Sequence, residues 1–320
     1  MKPLTRKNIS LLNAAAIALC AALWFLWDRA CCGGATTAAA LPLRDTSLPM
    51  QWLVVLTAFG VKPLYLLVAL ALIVWLWRST ARDLALLRWG LIWFWFGENA
   101  CSVNYIFFHG GCDFWEYLHN FGMAASFSLI LAALLEGFDH RVIKFSPPKE
   151  HCAVLPLCGA CSKYAAVPCR LPRLFAALLP ALIVVALLPL TADFATAPFR
   201  TNILGTSVNY EHLASSTWFE LRACPALALV LFTASWLVLL FKKTEPVTFS
   251  KALLAAGLGP FSFGLLRLFL VSTFAQNLIW SDQWEEFTEL LFILGVALVL
   301  WLFRARLFAA DTTNPKTSTP

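Results

Sequence analysis

The stretch DFWEYLHNFGMAASFSLILAALLEGF at residues 113–138 opens with Asp-Phe-Trp-Glu and continues as a long apolar run. A related stretch, DQWEEFTELLFILGVALVLWLF at residues 282–303, opens with Asp-Gln-Trp-Glu and continues in the same way. Each run is long enough to cross the roughly 30 Å hydrocarbon layer of a membrane as a helix. The returning pattern predicts a duplicated membrane unit.

The composition sets the class of protein. Of the 320 residues, 60% are hydrophobic and 13% are charged, and the mean hydropathy is +0.73. A water-soluble domain of this length is less apolar, so the chain is interpreted as a polytopic membrane protein whose partner is the lipid bilayer. The segments that could cross a membrane as helices are 9–28, 51–77, 84–108, 118–138, 174–192, 222–241, 252–275 and 286–304. Their apolar runs are continuous rather than alternating, which predicts an all-α bundle of about eight transmembrane helices.

The basic residues predict the orientation. Lys and Arg are concentrated in the segments 1–8, 78–83, 139–173, 242–251 and 305–320. Because cytoplasmic loops carry the excess of Lys and Arg, both termini are expected in the cytoplasm, and the first apolar segment is interpreted as an uncleaved anchor. The expected location is the cytoplasmic (inner) membrane of a bacterium. The net charge of +6 then indicates contact with the inner leaflet and no nucleic-acid partner.

The loops between the predicted helices have similar lengths in the two halves of the chain, which indicates that the duplication extends over the whole chain. The predicted domains are a first membrane repeat of four helices (1–138), a cytoplasmic Cys-rich loop (139–173), a second membrane repeat of four helices (174–306) and a disordered polar tail (307–320). An even number of crossings gives the two repeats the same orientation. We therefore expect a pseudo-two-fold axis along the membrane normal.

The Cys-rich loop is a candidate metal site. Its four thiols are Cys152, Cys158, Cys161 and Cys169. On the reducing side of a membrane they are not expected to form disulfides, and thiolates at this spacing can surround a tetrahedral ion, either zinc or the iron of an iron–sulfur centre. Two alternatives stay open, namely a thiol redox pair and cysteines that act as small apolar residues.

A second group of polar residues is predicted at the outer face. Glu116 and His119 stand three apart at the start of one predicted helix, and Glu285 and Glu289 stand four apart at the start of its counterpart. Each pair therefore faces one way from its helix. Such groups can bind a metal or act as a general acid and base. The alternative is that they only cap the positive ends of helix dipoles.

Two ionisable residues lie deeper in the predicted bundle. Sliding the chain by the offset between the two Asp-x-Trp-Glu motifs places Glu98 on Arg267, so the two repeats carry opposite charges at one position. Uncompensated charges in a membrane cost about 2.5 kcal/mol or more, which makes both residues functional candidates. The pattern predicts either a structural ion pair between them or a proton or substrate site that includes Glu98.

Three hypotheses of function follow. The first is a membrane metalloprotein of redox or electron-transfer type, with a metal at the cysteine loop, an outward-facing site of Glu98, Glu116, His119, Glu285 and Glu289, and a redox partner or another membrane subunit. The second is a transporter or channel built around the intramembrane Glu/Arg pair, with a structural zinc loop. The third is an enzyme acting on lipid, and no sequence motif specifies its substrate.

Overall fold

The computed structural model describes residues 44–108, 112–138, 141, 171–192, 196–210, 214–241 and 246–308. The described part is mostly helical and contains one small sheet. In chain order its elements are β1 (Arg44–Asp45), α1 (Leu48–Leu56), α2 (Lys62–Leu76), α3 (Arg82–Phe108), α4 (Asp113–Gly137), α5 (Leu171–Thr191), β2 (Phe199–Ile203), β3 (Thr206–Tyr210), α6 (Ala214–Trp218), α7 (Cys224–Phe241), α8 (Pro246–Phe274) and α9 (Leu278–Phe308).

Five helices in the described part are long and apolar enough to cross a membrane. They span Leu48–Leu76, Asp113–Gly137, Ser215–Phe241, Phe249–Phe274 and Leu278–Ala305. Helix α3 is equally long but is interrupted by polar residues, and the described apolar part of α5, Leu178–Thr191, is shorter. The predicted first segment (9–28), residues 142–170 of the Cys-rich loop and residues 309–320 of the polar tail lie outside the described residues.

Several helices begin earlier than the sequence predicted. The predicted start at 222 is observed at 214, and the predicted start at 286 is observed at 278. The sequence prediction begins these two segments after the charged residues Glu220 and Glu285, because it limits each segment to its apolar run. Both side chains are paired inside the bundle, so the helices continue past them.

The helices that contain α2 and α7 each include a π turn, and the two turns lie at corresponding places. Thr57–Val61 joins α1 to α2, and Phe219–Ala223 joins α6 to α7. Each π turn is followed two residues later by a proline, Pro63 in one helix and Pro225 in the other. Proline has no N–H to donate to the carbonyl four residues earlier, so regular α-helical hydrogen bonding is interrupted locally.

The small sheet lies at one end of the bundle, which we call the strand end. Strand β1 pairs in parallel with β2, and β2 pairs with β3 as an antiparallel hairpin. The backbone N–H of Thr46 donates to the carbonyl of Arg200 over 3.0 Å, and Phe199 packs against Leu278 and Ile279 at the start of α9. The sheet therefore joins the two halves of the chain.

The opposite end of the bundle is joined by an arginine. Arg141 contacts both carboxylate oxygens of Asp83, at 2.5 and 3.0 Å, and donates to the backbone carbonyl of Leu307 over 3.3 Å. Trp75 stacks on Phe308 nearby. These contacts hold the beginning of α3 and the end of α9 to Arg141, which lies four residues after the end of α4.

Helices α3 and α4 approach each other very closely. A Cβ atom added to Gly122 of α4 would lie 2.8 Å from the Cα of Gly97 in α3, which is closer than real Cβ contacts allow. Glycine at both positions therefore permits contact between the two backbones. This approach brings His119 of α4 against α3, where its Nδ1 lies 3.1 Å from the carbonyl oxygen of Gly97.

Candidate functional site

The first group of buried ionisable residues, which we call the Glu98 cluster, consists of Lys62, Tyr65, Glu98, His119, Glu286 and Glu289. The ammonium of Lys62 lies 2.5 Å from Glu98 Oε2 and 2.9 Å from Glu286 Oε1. The hydroxyl of Tyr65 lies 2.7 Å from Glu98 Oε2 and 2.6 Å from Glu286 Oε2. The cluster thus joins α2, α3 and α9 through one lysine and two carboxylates.

Local structure explains how Lys62 reaches this position. It follows the π turn directly and precedes Pro63, at the point where the helix axis resumes regular geometry. Tyr65 stands three residues later and so lies on the same face of α2. Aromatic packing of Tyr65 against Phe94, with ring centroids 5.7 Å apart, fixes that face against α3.

Three carboxylates of this cluster converge on one point. Glu98, Glu286 and Glu289 each offer an oxygen, and these atoms all lie within 4.8 Å of one another. Glu98 and Glu289 are only 1% and 5% exposed. One oxygen of each, Glu98 Oε1 and Glu289 Oε2, is buried without a hydrogen-bond partner. At 1.5 Å per residue, Glu98 and Glu289 lie about 15 Å from the strand-end termini of α3 and α9, well inside both helices.

The second group, which we call the Arg267 cluster, consists of Asn104, Glu116, Ser216, Glu220, Arg267 and Glu285. Arg267 Nε lies 3.0 Å from Glu220 Oε1, and its Nη1 is also paired with Glu285. Glu220 is fully buried, and the close approach of its backbone to Gly264 leaves no room there for a side chain. The π turn that carries Glu220 therefore packs directly on α8.

A chain of polar contacts continues from the Arg267 cluster toward the strand end. Ser216 Oγ lies 3.2 Å from Glu220 Oε1 and 3.0 Å from Glu116 Oε1. Asn104 donates to Glu116 Oε2 over 3.2 Å, and Ser215 donates to the exposed Asp113 over 2.8 Å. Buried charge and surface are thus linked by polar side chains rather than separated by an apolar layer.

The two clusters have related arrangements with opposite charges. The central carboxylate Glu98 pairs with Lys62 from the preceding membrane helix and lies 3.5 Å from Nδ1 of His119 in the following one. The central guanidinium of Arg267 pairs with Glu220 from the helix before and Glu285 from the helix after. Each half of the chain therefore surrounds one central charge with complementary groups from its two neighbours.

The direct ion pair between Glu98 and Arg267 stays a prediction, and the contacts described above pair each of the two residues with other groups. Both residues are buried as expected, but each takes its partners from adjacent helices. Helix α4 packs against both α3 and α8. His119 of α4 and Phe263 of α8 lie close together in this region. The His119 and Phe263 rings have centroids 6.5 Å apart, and the guanidinium of Arg267 lies 5.5 Å from the Phe263 centroid.

The other predicted site residues fall into the same region. His119 and Glu289 belong to the Glu98 cluster, and Glu116 and Glu285 belong to the Arg267 cluster. Their burial and pairing differ from what exposed helix caps require. The predicted metal ligands Cys152, Cys158, Cys161 and Cys169 lie outside the described residues, so their role stays a prediction.

Sequence reasoning missed Lys62, Tyr65, Glu220 and Glu286. Lys62 stands within an apolar run of 29 residues, and that isolation was a usable sign, because ionisable residues inside membrane segments are functional candidates. Glu220 was missed because it was assigned to a loop. Glu286 was missed because it lies next to Glu285 at a helix start that was placed too late.

The fold and site define an integral membrane protein with a buried, predominantly acidic charge network. In comparisons with models of protein families, with curated proteins and with solved structures, nothing matches this chain.

Proposed function

We propose that this chain is a membrane transport protein, a carrier or channel, whose substrate is a cation. The observation that carries the proposal is the excess of acidic groups in the two clusters. Six glutamates, Glu98, Glu116, Glu220, Glu285, Glu286 and Glu289, accompany only two permanent cations, Lys62 and Arg267. Buried carboxylates in excess attract positive charge, and ionisable residues inside a membrane mark ion pathways.

The route of the polar side chains supports transport. At the strand end Asp113 is exposed and Ser215 is half-buried. Arg267 and Glu285 lie about 10 Å along their helices, and Glu98 lies about 15 Å along its helix. A cation entering from the strand end would meet oxygen atoms at each of these depths. Interruptions of helical hydrogen bonding beside such a site, like the two π turns, occur at ion sites of transporters.

We also propose the finer architecture expected from the sequence: eight crossings in two parallel repeats, both termini in the cytoplasm, and the strand end facing outward from a bacterial inner membrane. The matched π turns and the matched surroundings of Glu98 and Arg267 support duplication. When the chain is aligned with itself without gaps so that Glu98 matches Arg267, the two π turns do not align. The reason is that fewer residues separate Pro63 from Pro225 than separate Glu98 from Arg267.

The redox hypothesis and the lipid-enzyme hypothesis rank lower. The first depends on cysteines outside the described residues, and grouped ligand atoms in the described part come from carboxylates, which suit ions rather than electron transfer. For the second, no sequence motif specifies a lipid substrate. A metal at the cysteine loop, zinc or iron–sulfur, stays a prediction alongside the transport proposal.

The test is cation flux in proteoliposomes that contain the full chain. Monovalent and divalent cations are offered one at a time, with flux followed by ion-sensitive dyes and compared with protein-free liposomes. We expect flux of at least one cation, reduced about tenfold or more by Glu98→Gln. Asp45→Asn is the matched control, because Asp45 is 81% exposed in its side chain and only weakly paired with Arg200 at 3.8 Å. Absence of flux for every cation, or equal flux in Glu98→Gln, overturns the proposal.

A further inference from the structure

The Glu98 cluster lacks enough hydrogen-bond donors for its carboxylates. Glu98, Glu286 and Glu289 offer six oxygens, and the nearby donors are the ammonium of Lys62 and the single hydroxyl hydrogen of Tyr65, because Nδ1 of His119 lies nearer to the carbonyl oxygen of Gly97, at 3.1 Å, than to Glu98 Oε1, at 3.5 Å. That one hydrogen cannot serve both carboxylates within its reach. Glu98 Oε1 and Glu289 Oε2 are buried and accept no hydrogen bond. Buried polar atoms are normally satisfied, so the arrangement indicates a missing positively charged ligand.

Glu289 is the most informative member of the three. It is 5% exposed and its Oε2 is unpartnered, yet it lies on the same side of α9 as Glu286 and converges with Glu98. If position 289 served only packing, an apolar residue would be more stable there than a glutamate, since an unpaired charge at this depth is costly. Its position is explained if it contributes a ligand oxygen.

Charge and ligand type narrow the class of ion. Three ionised carboxylates and one ammonium leave two negative charges, which a divalent cation would neutralise. Every grouped ligand atom in the described part is a carboxylate oxygen, and oxygen ligands favour the hard cations Mg²⁺, Ca²⁺ and Mn²⁺. His119, 3.5 Å from Glu98 Oε1, would then act as an outer group that orients the carboxylate.

We propose that Glu98, Glu286 and Glu289 form a binding site for one hard divalent cation near the middle of the membrane. Lys62 borders the site, pairing with the Glu98 and Glu286 oxygens that face α2, while Glu98 Oε1 and Glu289 Oε2 remain for the ion. The inference rests on the proposed transport function and specifies its substrate class. The site can nevertheless be tested without transport.

The experiment measures Mn²⁺ binding to the detergent-solubilised full chain after removal of metals with EDTA. Free Mn²⁺ is quantified by electron paramagnetic resonance, and Mg²⁺ and Ca²⁺ are added as competitors. We expect one competable Mn²⁺ per chain with a dissociation constant below about 1 mM. Glu289→Gln and Glu286→Gln should weaken binding about 100-fold or more, beyond the 10- to 100-fold effect of outer groups.

Two controls make the result specific. Glu136→Gln changes a carboxylate on α4 that pairs with Arg82 at 3.3 Å, outside both clusters, and should bind Mn²⁺ as the wild type does. Cys158→Ala should also retain binding, because thiolates prefer softer ions. Glu289→Gln should keep its thermal stability in the absence of metal, since Glu289 has no hydrogen-bond partner to lose at Oε2.

The outcomes separate the site from the transport function. Wild-type protein that binds no Mn²⁺, Mg²⁺ or Ca²⁺, or a folded Glu289→Gln variant that binds Mn²⁺ like the wild type, overturns the inference. In either case flux of another cation would leave the transport proposal standing. If Mn²⁺ is bound as expected but no cation is moved across the liposome membrane, the site stands and the transport proposal is overturned.

Discussion

The ammonium of Lys62 lies 2.5 Å from Glu98 Oε2, and the two side chains are 11% and 1% exposed. Glu98 lies in α3, and Lys62 is supplied by the long apolar helix Leu48–Leu76, in which the hydroxyl of Tyr65 also contacts Glu98. At this depth of burial, water cannot hydrate the charge that remains when its partner is removed. Each charge therefore depends on the other for its presence in the bundle.

Removal of one partner should reveal this dependence. In Lys62→Met, Glu98 and Glu286 lose their shared cation, and we expect the free energy of unfolding in detergent to fall by about 3–5 kcal/mol. The double variant Lys62→Met with Glu98→Gln should recover part of the loss, because the amide carries no charge. Asp45→Asn, at an exposed pair, should change the free energy by no more than about 1 kcal/mol. A fall in Lys62→Met as small as in Asp45→Asn would contradict the burial of this pair.

The close contact of α3 and α4 gives a second prediction. Gly122→Ala adds a Cβ that would lie 2.8 Å from the Cα of Gly97, so the helices must separate. We expect a loss of stability of about 1–3 kcal/mol, typical of overpacking. The matched control is Gly295→Ala in α9, where a Cβ meets nothing within 4 Å.

Thermal unfolding in detergent compares the two variants. Gly295→Ala should be neutral or slightly stabilising, because alanine favours a helix over glycine. Equal stability of Gly122→Ala and wild type would show that the two backbones are not in contact. Since His119 is brought to Glu98 by this approach, Gly122→Ala should also reduce cation flux, whereas Gly295→Ala should not.

The helices and several site residues could be predicted from the sequence because each depends on local composition. A continuous apolar run specifies a membrane helix whatever its neighbours are. An ionisable residue in such a run is conspicuous by its cost, which is why Glu98 and Arg267 were identified without a structure. The same rule applied to Lys62 would have found the partner of Glu98.

The pairing of these residues could not be predicted because it depends on how the helices pack. The two repeats suggested that Glu98 would meet Arg267, whereas α4 packs against both α3 and α8 and each charge finds a partner on an adjacent helix. The π turn before Lys62 adds a further difficulty. Its extra residue rotates the face that follows by about 100°, so helical periodicity does not predict where Lys62 points.

The proposed orientation leads to a labelling prediction. Asn202 is exposed in β2 at the strand end, and Arg78 is exposed in the turn between α2 and α3 at the opposite end. On intact cells, a membrane-impermeant maleimide should label Asn202→Cys and should label Arg78→Cys only after the membrane is permeabilised. The parent chain, with ten native cysteines, sets the background for both. Labelling of Arg78→Cys from outside, with Asn202→Cys protected, would reverse the orientation and move the entrance of the polar route to the cytoplasm.

The cysteine loop gives the last prediction, which separates the metalloprotein hypothesis from transport alone. If Cys152, Cys158, Cys161 and Cys169 hold an ion, the purified chain should carry roughly one zinc, or iron with visible absorption from an iron–sulfur centre. Elemental analysis should then show loss of that metal in Cys158→Ala and Cys161→Ala. Cys224→Ala is the control, because Cys224 is buried in α7 and serves packing, so the metal should remain. Wild-type protein with neither zinc nor iron would remove the metal from the loop and leave its cysteines as a thiol redox pair or as small apolar residues.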